Sequence, residues 1–217
     1  MSIPETEAGG LRERKKRATR LALSEAALRL ALDHGPEQLT VEEISEAAGV
    51  SARTFFNYFS SKEHALLGDG PAPPPQEQAT AMVAAAGTVL EGLCLVVKAS
   101  VADAAGSREQ FRMRWQLMER HPALLPRLFA RMEDFRASLA AAVAARCSGQ
   151  GTPPGAGGAA TDAYPQLMAS VALATMRVAV DRWLADHGDQ SPQEHVTELF
   201  GLLNAELGEA AKGGVLA

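Results

Sequence analysis

The stretch that decides the fold is "GVSARTFFNYFSSKEHALL", residues Gly49–Leu67. The chain has only seven Phe, two Tyr and two Trp, yet four of these aromatic residues lie within five positions here, at Phe55, Phe56, Tyr58 and Phe59. Residues four apart on a helix share one face, so we expect Phe55 and Phe59 to be buried together. The stretch therefore predicts a short helix with one face in a core and another face available to a partner. The expected packing partners are Leu28, Leu39, Ile44 and Val50.

Start and stop signals divide the region around this stretch into helices. Thr40 followed by Glu43 has the spacing of a capping box, which satisfies two backbone N–H groups at a helix start. Gly49 permits the sharp turn that a helix-turn-helix requires, and Ser51 is a good N-cap for the next helix. Ser60 with Glu63 suggests a further start. The pattern predicts a long first helix followed by short helices in a helix-turn-helix arrangement.

The charge distribution favours a nucleic-acid partner more than the net charge of −5 does. Residues 11–64 carry nine Lys/Arg against eight Asp/Glu, and the positive charges cluster in "RERKKRATR", residues 12–20. A local patch can bind nucleic acid whatever the global charge, although a solvated helix start would have the same composition. The two cysteines, Cys94 and Cys147, predict free thiols rather than a disulfide framework.

The rest of the chain predicts long helices, and the fold class is all-α. The Pro-rich segment "GDGPAPPPQ", residues 68–76, predicts a stiff linker. Helices are expected at about 77–104, 107–120, 122–147, 163–187 and 192–209, with a flexible loop at 147–161 and a strong helix start at Ser191. The expected organisation is a disordered tail (1–10), a three-helix helix-turn-helix domain (11–67), the linker (68–76) and a helical bundle (77–217).

The side chains that do not belong to the core of the short helix are of types that contact DNA. Arginine pairs bidentately with guanine, asparagine pairs with adenine, and hydroxyl groups reach bases or phosphates. An aromatic ring can touch a thymine methyl group or a sugar. Each residue alone could be an ordinary surface residue, and the combination carries the hypothesis. The residues concerned are Arg53, Thr54, Phe56, Asn57 and Tyr58.

Residues 12–67 resemble the DNA-binding domain of the TetR family of bacterial transcriptional regulators. The resemblance lies in a basic first helix followed by "LTVEEISEAAGVSARTFFNYFSSKEHALL". It implies that Thr40 and Lys62 hold phosphate. Many relatives have Tyr where this chain has Phe56, so the phosphate bond of that hydroxyl is missing here. The implied DNA face comprises Ser51, Ala52, Arg53, Thr54, Phe56, Asn57 and Tyr58.

The resemblance also implies that the later helices form a dimerising bundle around a ligand pocket. Apolar faces on the last two long helices independently favour such a bundle, with core within one chain as the alternative. Arg112, Arg114 and the run "HPAL" resemble a branch of the family with an acyl-CoA-like ligand domain. Met and Trp at helical spacing are usually core, and this alternative stays open. The pocket candidates are Phe111, Arg112, Arg114, Trp115, Met118, Met168, Met176 and Arg177, and the dimer candidates are Val171, Val178, Leu199, Leu202 and Leu203.

The expected function is a cytoplasmic, homodimeric repressor that binds near-palindromic operator DNA and releases it when a small apolar or amphipathic effector binds. No enzyme motif is present, the five His show no metal spacing, and no cofactor, metal or membrane partner is expected. Two alternatives remain at this point. One is a helical small-molecule-binding protein or enzyme with a vestigial DNA-binding domain, and the other is a DNA binder without a ligand.

Overall fold

The computed structural model describes residues 5–68, 70, 73–104, 108–151, 159–186 and 188–213. Within these ranges the regular structure is entirely helical, which confirms the predicted all-α class. No helix in the described ranges is long and apolar enough to cross a membrane. The helices are α1 (Glu5–His34), α2 (Val41–Ala47), α3 (Ala52–Phe56), α4 (Lys62–Leu67), α5 (Gln76–Ala85), α6 (Val89–Ala104), α7 (Arg108–Arg120), a 3-10 turn (Pro122–Leu124), α8 (Leu125–Gln150), α9 (Ala159–Ala185) and α10 (Pro192–Gly213).

The chain divides into two compact units. Unit 1 comprises Met1–Asp69 and Gly106–Pro126, and unit 2 comprises Gly70–Ala105 and Arg127–Ala217. Helix α7 therefore packs with the N-terminal helices, although it lies inside the range 77–217 that was predicted as a separate bundle. The structure also differs from the prediction of a disordered tail at residues 1–10, because α1 already begins at Glu5. Residues 1–4 lie outside the described part.

A single apolar cluster holds unit 1 together. Side chains from α1, α2, α3, α4 and α7 meet in it, and Phe55 and Phe59 are both buried, as predicted. Full burial of one such side chain is worth about 1.5–3 kcal/mol, so the two rings are a main reason why the short α3 stays in place. The largest fully buried members are Leu23, Leu28, Ile44, Phe55, Phe59, Leu66 and Leu117.

The turn between α2 and α3 depends on Gly49, which has a φ of 67°. Its backbone N–H donates to the Glu46 carbonyl, and the next N–H, of Val50, donates to the Ser45 carbonyl at 2.9 Å. A Cβ at Gly49 would meet no neighbour within 4 Å. Any other residue here would therefore suffer from the left-handed backbone itself and not from crowding.

Three helix starts confirm the cap predictions, and one corrects them. Thr40 and Glu43 form the predicted capping box, and the Ser51 hydroxyl accepts from the backbone N–H of Thr54. The predicted start at Ser60 and Glu63 is wrong by one residue. Ser61 is the N-cap, because its extended backbone lets its hydroxyl accept from His64 N–H at 3.1 Å. The Ser191 start is confirmed, because the Ser191 N–H donates to Glu194 Oε2 and the Glu194 N–H donates to the Ser191 hydroxyl.

Unit 2 contains a break that the sequence prediction missed. The expected helix at 77–104 is interrupted at 86–88, where Thr88 begins α6 through a capping box with Glu91. The Arg146 side chain of α8 donates to the Val83, Ala86 and Gly87 carbonyls at this break. A cation at the last carbonyls of α5 complements the helix dipole and stabilises the interruption.

The core of unit 2 is formed by α5, α6, α8, α9 and α10. Cys94 and Cys147 are half-buried free thiols, as predicted. Residues 152–158 of the predicted loop lie outside the described part, whereas 147–150 continue α8 and 159–161 begin α9. The central core residues are Leu93, Val96, Val97, Phe135, Leu139, Val143, Ala169, Ala172, Val196 and Phe200.

Candidate nucleic-acid interface

Helix α3 is shorter than the stretch "ARTFFNYF", residues 52–59, that the sequence predicts as helical. It ends at Phe56, and Asn57 and Tyr58 follow in a turn whose N–H groups donate to the Thr54 and Phe55 carbonyls at 3.1 and 2.9 Å. Hydrogen bonds between residues three positions apart tighten the last turn of a helix. Asn57 and Tyr58 therefore form a turn that follows α3 and does not belong to it.

The two faces of this segment are clearly separated. Phe55 and Phe59 lie in the core with their ring centroids 5.6 Å apart. Arg53 and Asn57 are exposed, and Phe56 is 58% exposed with its ring edge-on to Phe55 at 5.4 Å. The structure thus places an arginine, an aromatic ring and an amide on the solvent side of α3 and the turn that follows it.

The remaining α3 candidates are less exposed. Ala52 and Thr54 are half-buried, and the Ser51 and Thr54 hydroxyls lie 2.8 Å apart. The Ser51 hydroxyl also accepts the Thr54 N–H at 3.1 Å. These two hydroxyls hold the first turn of α3 together, a role that their cap spacing predicts.

Thr40 and Lys62, the predicted phosphate contacts, are both engaged within the protein. The Thr40 N–H and hydroxyl donate to Glu43 Oε2 at 2.8 and 2.7 Å, and this bonding holds the pKa of the Glu43 carboxyl below its usual value. The Lys62 ammonium donates to the Glu37 and Leu39 carbonyls at 3.0 and 2.8 Å. An ammonium has three N–H donors, so one remains for a phosphate.

Tyr58 is less exposed than Arg53, Phe56 and Asn57. Its side chain is half-buried against the unit 1 core, and its carbonyl accepts from Arg20 Nη1 at 2.7 Å. The Arg20 guanidinium also lies 4.4 Å from the centroid of the Phe59 ring. Sequence reasoning placed Arg20 in the basic run but missed its contacts, because they join residues 38 positions apart and no local pattern marks them.

A cavity with a volume of about 650 Å³ lies beside the end of α3. Side chains from the N-terminal half of α1, most of them basic or polar, form one wall, and the turn after α3 forms the other. We call this cavity the α1 cleft. It is lined by Arg12, Glu13, Lys15, Lys16, Thr19, Asn57 and Tyr58.

The predicted pocket residues are divided between the two units. The five on α7 belong to unit 1, where Met118 packs against the core and Arg114 donates to the Leu66 carbonyl and the Ser24 hydroxyl. In unit 2, Met168 and Met176 are buried in the core, and Arg177 is exposed, 3.6 Å from Asp181. Their grouping into one pocket stays a prediction. In the described residues, His, Cys, Asp and Glu form no group of three or more that could hold a metal ion.

The predicted dimer residues all lie on α9 and α10 of unit 2. Val178 and Leu202 are exposed apolar side chains, whereas Leu199 and Leu203 are partly buried against the unit 2 core. Val171 is half-buried. Their participation in an interface between two chains stays a prediction.

Two family models match the chain. One, described as bacterial regulatory proteins of the tetR family, matches residues 23–67, which contain the latter part of α1 and all of α2, α3 and α4. The other, described as the MftR C-terminal domain, matches residues 87–208, more than half of the chain. The chain belongs to the TetR family of bacterial regulatory proteins. This finding confirms the resemblance carried by the helix-turn-helix, and the TetR family is one of regulators rather than enzymes.

Individual TetR-family proteins extend this comparison. The HTH-type transcriptional regulator TcmR of Streptomyces glaucescens is 38% identical over 146 residues, which cover 63% of this chain. The chain spans 64% of the length of TcmR in that match. Among solved structures, FadR of Bacillus subtilis in complex with stearoyl-CoA is 19% identical with a TM-score of 0.52, covering 84% of this chain and 96% of FadR. A putative TetR-family regulator of Mesorhizobium loti is 18% identical with a TM-score of 0.50, covering 87% and 96%.

Proposed function

We propose that this chain is a homodimeric, ligand-responsive transcriptional regulator that binds operator DNA sequence-specifically and acts as a repressor. The observation that carries the proposal is the separation of buried from exposed side chains in α3 and the turn after it. The buried rings fix the helix on unit 1, and the opposite side presents Arg53, Phe56 and Asn57 to solvent. Membership of the TetR family supports the same conclusion.

The exposed side chains suit direct readout in the major groove. Arg53 has the fork of donors that pairs with guanine O6 and N7, and Asn57 has the amide that pairs with adenine N6 and N7. Phe56 offers an apolar ring to a thymine methyl group or a sugar and no hydroxyl to a phosphate. A third donor of Lys62 and the α2 start at Thr40 would contact the phosphates that flank the groove.

Two copies of the chain would read two half-sites. Exposed Leu167 and Val178 on α9 and exposed Leu202 and Leu207 on α10 are apolar side chains that a second copy would cover. A two-fold dimer places its recognition helices in successive major grooves, about 34–36 Å apart, which makes the operator near-palindromic. A regulator of this kind works in the bacterial cytoplasm, where the chromosome lies.

The effector would be a small apolar or amphipathic molecule bound in the C-terminal domain. The B. subtilis FadR structure holds stearoyl-CoA, and the buried Met168 and Met176 supply the adaptable apolar surface that such ligands require. An effector releases the operator only if it binds the DNA-free conformation more tightly than the DNA-bound one.

The deciding experiment is selection of duplexes from a random library by the full chain, followed by fluorescence anisotropy with the enriched sequence. We expect a near-palindrome to be enriched. Enrichment of no sequence would refute the proposal and favour a small-molecule-binding protein with a vestigial DNA-binding domain.

The role of Arg53 gives this experiment its sharpest variant. Arg53→Ala should weaken binding to the selected duplex by about 1–3 kcal/mol and relax preference at one position of each half-site. Arg29→Ala is the matched control, because Arg29 is an exposed unit 1 arginine on α1 that pairs with Glu25. Equal binding and unchanged sequence preference in Arg53→Ala would remove Arg53 from base readout.

A further inference from the structure

The N-terminal half of α1 carries the densest positive charge in the chain. Residues 12–20 contain six Lys/Arg and one Glu in a protein whose net charge is −5. The N-terminal family model begins at residue 23, so this basic run precedes the part of the helix-turn-helix domain that the family match covers. The side chains at 12–18 are all exposed. The run is therefore a feature of this chain that the family match leaves without a role.

Helical spacing divides the run into two sides. Positions that differ by three or four residues share a side, which groups Arg12, Lys15, Lys16 and Thr19 on one side of the helix. Neither Arg14 nor Arg17 has this spacing to any of those four residues. Arg14 and Arg17 do not line the α1 cleft. The residues of α1 that do line it are Arg12, Glu13, Lys15, Lys16 and Thr19.

Contacts of Arg20 fix the position of the cleft relative to α3 and the turn after it. Arg20 joins its two walls, because its guanidinium donates to the Tyr58 carbonyl at 2.7 Å and lies over the Phe59 ring at 4.4 Å. Asn57, an exposed candidate for base readout, lines the same cleft. A DNA duplex seated on α3 would thus continue past Asn57 towards α1.

The charge of the cleft suits a polyanion. Three cations face one carboxylate, Glu13, whose oxygen lies 4.0 Å from Lys16 Nζ, with both side chains largely exposed. An exposed pair at this distance contributes little and is readily replaced by a phosphate contact. Arg12 and Lys15 add two further donors.

We propose that the α1 cleft binds the sugar–phosphate backbone of the operator, beside the base pairs read from α3. This inference rests on the proposed DNA-binding function and adds a second site of contact to it. Each phosphate neutralised by a lysine or arginine steepens the salt dependence of binding by about 0.9 in log K against log salt. The cleft would therefore add affinity and salt dependence without adding sequence preference.

The test compares two double variants with equal loss of charge on the same helix. Lys15→Gln with Lys16→Gln removes two cleft cations, and Arg14→Gln with Arg17→Gln removes two cations outside the cleft. Glutamine has a helix propensity close to that of lysine and arginine, so α1 should persist in both, as circular dichroism would show. Affinity for the selected duplex is measured by anisotropy across a range of salt concentrations.

The cleft variant should lower the magnitude of the salt slope by about 1.8 and leave the ranking of operator sequences unchanged. The control variant should change the slope by less than about 0.5. Equal slopes in the two double variants, or no change in the cleft variant, would overturn the assignment. Wild-type chain that binds no duplex would instead overturn the proposed function, so the two failures are distinguishable.

Flanking DNA gives a second readout. Trimming base pairs outside the sequence read by α3 should weaken binding of wild-type chain, and the same trimming should have little effect on Lys15→Gln with Lys16→Gln. Equal sensitivity of wild-type chain and cleft variant to trimming would place the backbone contact elsewhere.

Discussion

Lys62 combines two roles that the sequence could not separate. Its position after the second Ser of "SSKE" suggests a phosphate contact, and the structure adds bonds to the Glu37 and Leu39 carbonyls. The ammonium thereby ties the first turn of α4 to the loop that precedes α2. A substitution at Lys62 should affect stability as well as DNA binding.

Lys62→Met is expected to lower the free energy of unfolding by about 1–2 kcal/mol, because two carbonyls lose a charged donor. It should also reduce the magnitude of the salt slope by about one, because one phosphate contact is lost. Urea denaturation measures the first effect, and anisotropy against salt concentration measures the second. A stability loss with an unchanged salt slope would show that Lys62 is purely structural.

At the scale of the helix start, Glu43 makes α2 sensitive to acid. Hydrogen bonds from the Thr40 hydroxyl and backbone lower the pKa of this carboxyl from its ordinary value of 4.5. A lowered pKa in the folded state means that the charged carboxylate stabilises the fold above pH 4.5 and that this contribution is lost as pH falls through the lowered pKa. Melting temperatures of wild-type chain and Glu43→Gln should therefore converge as pH is lowered below 4.5.

The control for this measurement is Glu42→Gln, which removes an exposed charge from the same helix without touching the Thr40 capping box. Its difference from wild type should vary less with pH. If Glu42→Gln and Glu43→Gln followed the same pH profile, the effect would come from overall charge and not from the cap.

Helix α7 illustrates an element whose membership in a structural unit could not be read from its own residues. The C-terminal family model includes α7, yet polar side chains of α7 bond to α1 and α4, which belong with it to unit 1. Arg114 donates to the Leu66 carbonyl at 3.1 Å and the Ser24 hydroxyl at 2.8 Å, and Gln110 donates to the Leu21 carbonyl at 3.1 Å. Gly68 makes room for the guanidinium, since a Cβ there would lie 3.1 Å from Arg114 Nη2.

Arg114→Met should lower the free energy of unfolding by about 1.5–3 kcal/mol, because the carbonyl and hydroxyl lose a charged donor in a partly buried place. Arg120→Met on the same helix is the control, since Arg120 is exposed and surface substitutions usually change stability by less than about 0.5 kcal/mol. Urea denaturation of both variants measures the difference. A similar loss in both would mean that α7 needs charge in general and not the Arg114 bonds.

For the whole molecule, the features that sequence predicted are the local ones. The caps at Thr40 and Ser51 depend on residues two or three positions away, and the buried pair Phe55 and Phe59 depends on helical periodicity alone. The break before α6 had an equally local signal, "TVLE" at Thr88–Glu91, that the long apolar pattern concealed.

The long-range contacts were beyond sequence reasoning for a physical reason. The bonds of Arg20 to Tyr58, of Lys62 to Leu39 and of Arg114 to Leu66 join residues 38, 23 and 48 positions apart. Each depends on how helices pack, and no propensity or spacing rule encodes packing of distant segments. For the same reason the α1 cleft could be recognised only as a basic run and not as a wall of the interface.

Dimerisation is the property of the whole molecule that the proposed function most depends on, and Leu202 tests it best. Leu202 on α10 is 60% exposed, so Leu202→Glu should leave the core of unit 2 intact, unlike a change at the partly buried Leu199. A charge at the centre of an apolar interface leaves an ion without water or a partner, which should shift the chain to monomer in light scattering. Operator binding should fall with it, because one half-site supplies only part of the contacts.

Leu95→Glu on α6, where Leu95 is 48% exposed, is the matched control and should remain dimeric. Monomer from Leu95→Glu and dimer from Leu202→Glu would move the interface from α10 to α6.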